Sequence, residues 1–86
     1  MADQDRGDVL ETITGVITPY LGPVMARSAV EAHAQKLGVD GPHITGAQID
    51  TLMAKIGAGL NIFVGREKSS AILEEVRQLL AGGVRA

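Results

Sequence analysis

The sequence predicts an all-α protein, a compact four-helix bundle with short connections, and three observations carry that expectation. Apolar residues recur at spacings of three and four along most of the chain, which is the period of one helix face. Glycines and prolines divide the chain into four such stretches. The 86 residues suffice for one domain, and they hold one Tyr, one Phe and no Trp, so the core must be built from Leu, Ile, Val, Met and Ala.

Residues 1–7 lack an apolar period and are expected as a flexible tail, ahead of one helical domain over 8–83 and a short tail at 84–86. The first helix is expected to begin with Asp8 as its cap and Glu11 three residues on, because apolar residues then fall at 9, 10, 13, 16, 17, 20 and 21. Pro19 has no amide donor and disfavours helical geometry at Thr18, so this helix should end or kink near residue 18. The string TPYLGP that follows reads as a rigid corner.

Pro23 suits the first position of a second helix, where its missing donor does no harm. Val24, Ala26, Val30, Ala34 and Leu37 continue that helix, and Gly38 is its expected C-terminal stop. Residues 38–44 form a turn-rich connection. Thr45 with Gln48 then makes a capping box, and Ile44 with Ile49 can close over it as a hydrophobic staple.

The third helix carries its face at residues 49, 52, 53, 56 and 60. Gly57 and Gly59 each cost about 1 kcal/mol against alanine in a helix interior, so they either split this helix or serve close packing. Gly65 breaks the chain again. The last helix sets Ile72, Leu73, Val76, Leu79 and Leu80 to one side and its Glu, Arg, Lys and Gln residues to others, and Gly82 with Gly83 ends it. No internal repeat is apparent.

Composition and motifs exclude much chemistry. The balance of eight basic and ten acidic residues, with the basic ones scattered, supplies no face that would attract a phosphate backbone. The chain has no cysteine, and its two histidines, His33 and His43, stand ten residues apart, so no zinc set is present and no metal is expected. Ser69 and Ser70 lack the surroundings of an activated nucleophile. The stretch GAGLNIFVGREKSS is not a phosphate loop, because Arg66 and Glu67 separate Gly65 from Lys68. Glu74 and Glu75 are adjacent and point about 100° apart on a helix, unlike an acid and base pair.

These readings lead to a protein that is not an enzyme and takes no cofactor or small-molecule substrate. The first eight residues are acidic and polar, unlike a signal peptide, and no apolar run is long enough to cross a bilayer, so the expected location is the cytoplasm. Burying every apolar residue in so short a chain is demanding, and a core shared between two copies relieves that demand.

The segment YLGPVMARSAVEAHAQ, residues 20–35, resembles a pattern in bacterial helical modules in which an aromatic-Leu-Gly-Pro turn leads into an apolar helix with an early basic residue. Such modules are appended to bacterial signalling proteins, including kinases. The resemblance implies an interaction or regulatory role. The expected function is therefore an adaptor or regulatory protein that binds another protein, forms a homodimer, or does both. Its expected interface comprises Tyr20, Leu21, Pro23, Val24 and Arg27 at the first corner with Ile62, Phe63, Val64 and Arg66 near the second. The alternative is a small helical DNA-binding regulator that uses the third or fourth helix for recognition, against which the acidic balance argues.

Overall fold

The computed structural model describes residues 4–39 and 41–82. Four helices make up nearly all of it: α1 (Arg6–Leu21), α2 (Pro23–Lys36), α3 (Gly46–Val64) and α4 (Arg66–Gly82). Two short strands, β1 (Gln4–Asp5) and β2 (His43–Ile44), pair antiparallel with Gln4 opposite Ile44 and Asp5 opposite His43. The expected compact four-helix bundle with short connections is the observed architecture.

Several boundaries differ from the expected ones, each for a local reason. Residues 4–7 belong to β1 and the first turn of α1, where a flexible tail was expected; residues 1–3 and 83–86 lie outside the described residues. The cap of α1 is Asp5, three residues earlier than Asp8, and its carboxylate accepts a hydrogen bond from the Asp8 amide at 3.0 Å. What makes the earlier start possible is long-range: the Arg6 amide donates to Pro42 O at 2.9 Å, and Arg6 Nε donates to Val39 O at 2.9 Å.

α1 also runs three residues past Thr18. Pro19 falls in the last turn, where its missing donor removes a single helical bond, and the Gly22 amide then closes on Thr18 O at 2.7 Å. Thr14 and Thr18 return their hydroxyls to the carbonyls four residues back, at 2.7 and 2.6 Å.

α3 is unbroken through Gly57 and Gly59. Its capping box is present in both directions, with the Gln48 amide on Thr45 Oγ1 at 3.1 Å and the Thr45 amide on Gln48 Oε1 at 2.9 Å. The two glycines have different reasons to be there. Gly57 is buried beneath α4: an added Cβ would stand 2.7 Å from Leu73 Cδ1, and Ser69 Oγ donates to Gly57 O at 3.3 Å. Gly59 is exposed and an added Cβ would meet nothing within 4 Å. Gly59→Ala should therefore raise stability by about 1 kcal/mol through helix propensity alone. Thermal denaturation followed by circular dichroism checks this as a higher melting temperature.

The core is a single cluster drawn from every helix and the connection, including Val9, Ile13, Ile17, Val30, Ile44, Leu52, Met53, Leu60 and Val76. The arrangement around it has a hidden regularity. α1 and α2 form one hairpin, α3 and α4 a second, and α1 packs on α4 as α3 packs on α2, so exchanging the hairpins preserves the contact pattern.

An offset of 43 residues, the separation of Gly22 and Gly65, superimposes the two halves of the sequence. Buried residues fall on buried residues at Val9 and Leu52, Leu10 and Met53, Ile13 and Ile56, Ile17 and Leu60, and Ala26 and Ser69. The chain is thus an internal structural repeat, which corrects the expectation of none. Between residues 6–37 and 49–80 the only identities are Ile13 with Ile56, Gly22 with Gly65, Glu31 with Glu74, Gln35 with Gln78 and Leu37 with Leu80. The correspondence fades late in the second helices, where Ala34 is buried and its counterpart Arg77 exposed.

Candidate functional site

Each hairpin turns on one residue. Gly22 has φ 87° and ψ 155°, Gly65 has φ 89° and ψ 161°, and this region of backbone space is essentially closed to residues with a side chain. Both glycines close the helix before them, with Gly22 N on Thr18 O and Gly65 N on Asn61 O, and both lend their carbonyl to the helix after them, to the amides of Ala26 and Ser69. A one-residue corner leaves no loop to cover the helix ends. Side chains on the outer side of the turn therefore project into solvent.

Those side chains are apolar. Among the described residues the exposed large hydrophobics are Tyr20, Val24, Met25, Ile62, Phe63 and Leu79, and five of these six lie within three residues of Gly22 or Gly65. Val24 is 79% exposed and Ile62 83%, while Tyr20 and Phe63, equivalent in the repeat, are both exposed. Single exposed hydrophobics are ordinary on a protein surface; their confinement to two equivalent corners is not explained by chance scatter.

The expected interface residues divide into two groups. Tyr20, Pro23, Val24, Ile62 and Phe63 are exposed at the corners, as are the side chains of Arg27 and Arg66. Leu21 and Val64 are instead half-buried and pack against the core, so they anchor each corner from beneath and present little to solvent. Met25 was not among the expected residues although it is 48% exposed. The signal was available in the period of α2, whose buried positions Ala26, Val30 and Ala34 leave residue 25 at the edge of the solvent side.

The electrostatics are plain. Arg27 Nη1 and Glu31 Oε2 stand 3.9 Å apart across one turn of α2, with both side chains well exposed, so the pair adds little to stability. The depression between α1 and α2, lined among others by Arg6, Asp8, Glu11, Thr14, Arg27 and Glu31, mixes both signs of charge, and its Arg6 already donates to the backbone. Among the described residues no group of three or more His, Asp or Glu side chains could hold a metal ion, and no helix is long and apolar enough to cross a membrane. The buried Ser69 hydroxyl is engaged by the Gly57 carbonyl, which gives it a packing role at the α3 and α4 crossing.

Fold and surface together define a four-helix domain of two equivalent hairpins with apolar corners. Comparison with family models, characterised proteins and solved structures gives no match to this chain.

Proposed function

We propose that this chain is a small non-enzymatic adaptor or regulatory domain that acts through protein contact, including contact with further copies of itself. The observation that carries the reading is the placement of exposed apolar side chains at two equivalent glycine corners, Tyr20, Val24 and Met25 at one and Ile62 and Phe63 at the other. Water-exposed apolar groups of this size gain roughly 25 cal/mol for each Å² that a partner covers, and aromatic and Met side chains are enriched where partners meet. The first corner is also the segment that resembles the appended modules of bacterial signalling proteins, which extends the proposal to a regulatory role. A chain without cysteine suits the reducing cytoplasm.

The test is absolute molar mass by light scattering across a dilution series. It compares the wild type with a variant carrying Val24→Gln in the first corner and Phe63→Gln in the second. Both residues are more than half exposed, so the variant should keep its helical circular dichroism. The expected result is an associating wild type and a monomeric variant. A wild type that is monomeric at every concentration would overturn the self-association part of the reading.

A further inference from the structure

Charge distribution indicates what the first corner fits. All ten acidic residues of the chain lie outside residues 12–30 and 51–66, the stretches that lead into the two corners. The only charged residues within those stretches are Arg27, Lys55 and Arg66. On a chain of formal charge −2, the apolar corners are thus the places from which negative charge has been withdrawn. The corners nevertheless differ. After Gly22 the chain continues Pro23, Val24, Met25, whereas after Gly65 it continues Arg66, Glu67, Lys68.

The opposite chemistry occupies the outer side of α4. Glu67, Ala71, Glu74 and Gln78 recur at steps of three and four and are all exposed, which makes them one solvent-facing stripe. Glu75 lies beside it, and one turn beyond Glu75 stands Leu79, 42% exposed and the only exposed large hydrophobic among the described residues that is away from a corner. Lys68 and Arg77 fall at the two edges of the stripe. An apolar residue bordered by carboxylates is the complement of an apolar corner bordered by an arginine.

We propose, resting on the protein-contact reading above, that the first corner of one copy docks on the outer face of α4 of a second copy. Tyr20, Val24 and Met25 cover Leu79, and Arg27 faces Glu74 and Glu75. The second corner is the poorer fit for this face, because its own Glu67 would approach the same carboxylates and like charges oppose docking. The two surfaces are different, so the contact is head-to-tail. Each added copy leaves one corner and one α4 face free, and the assembly grows without limit or closes as a ring.

Three samples test this by sedimentation velocity and light scattering: the wild type, Val24→Asp, and the double reversal Glu74→Lys with Glu75→Lys. Each should fold. Val24 is the second residue of α2, where a carboxylate favours the helix, and both glutamates are exposed. The double reversal takes the formal charge from −2 to +2, so general repulsion is unchanged in magnitude.

The wild type should exceed a dimer as concentration rises, and added salt should weaken its association. Each variant should remain monomeric alone. An equimolar mixture of the two should form a dimer and stop there, since Val24→Asp brings an intact α4 face and the double reversal an intact corner. A wild type that stops at a dimer, growth that either variant leaves intact, or a mixture that stays monomeric overturns the proposal. Association lost with Val24→Gln and Phe63→Gln together yet kept in the double reversal removes the α4 face while sparing the wider reading. A wild type monomeric throughout removes this proposal and self-association together.

Discussion

Gly65→Ala is expected to lower stability by about 1–3 kcal/mol, a fall in melting temperature of roughly 4–20 °C for a domain of this size. The residue has φ 89° and ψ 161°, where a Cβ clashes with the chain's own backbone even though the surrounding space is open. Relaxing φ to a negative value would swing α4 away from α3 and detach Ser69 from Gly57 O. Gly22→Ala should cost a similar amount, because Gly22 holds the same geometry between α1 and α2. The contrast with Gly59→Ala, which is expected to stabilise, makes the experiment specific: three glycine-to-alanine changes of identical size should divide by backbone geometry alone. Urea denaturation of the three variants reads this directly. Loss of stability at Gly59, or none at Gly65 and Gly22, would contradict the account of the corners.

Leu60→Ala and Ile17→Ala should each cost about 2–5 kcal/mol, the largest effects of any single truncation proposed here. Both side chains are almost wholly buried, and they occupy equivalent positions in the two hairpins, each four residues after a core isoleucine. A domain of this length has roughly 5–15 kcal/mol in total, so either variant should be partly unfolded at moderate temperature. The repeat adds a sharper expectation. Because α1 packs on α4 and α2 on α3, neither hairpin has a complete core without the other. Each variant should therefore unfold in one transition that carries both halves. Two separated transitions in a calorimetric scan would mean that the hairpins are independent units, contrary to the single shared core.

How much of this was legible in the sequence can be judged element by element. The face of α3, from Ile49 to Leu60, and its Thr45 and Gln48 cap could be read directly, because a capping box is satisfied within four residues and needs nothing from the rest of the fold. Gly65 as a break and Pro23 as a helix start are equally local. The start of α1 was not legible, since Arg6 is held by Pro42 and Val39, more than thirty residues away. The continuity of α3 through Gly57 also depended on a distant partner, because α4 fills the space that the missing side chain leaves. At the candidate surface, Tyr20, Val24, Ile62 and Phe63 were identifiable from their crowding around the corners, while Met25 became evident only when the buried side of α2 was known.

The amino-acid sequence alone therefore determines four helices, three of their four starting points to within a residue, and the absence of cysteine chemistry and of a concentrated basic face. Those properties follow from period, capping and charge, all of which act over a few residues. Tertiary structure decided that the four helices are two equivalent hairpins, that Leu21 and Val64 turn inward while Tyr20 and Phe63 turn outward, and that apolar surface remains at the corners. The physical reason is that burial depends on which helix lies opposite. Halves that share only five identities across the repeat can fold alike as long as buried positions stay apolar and the one backbone geometry that excludes a side chain is given to glycine both times.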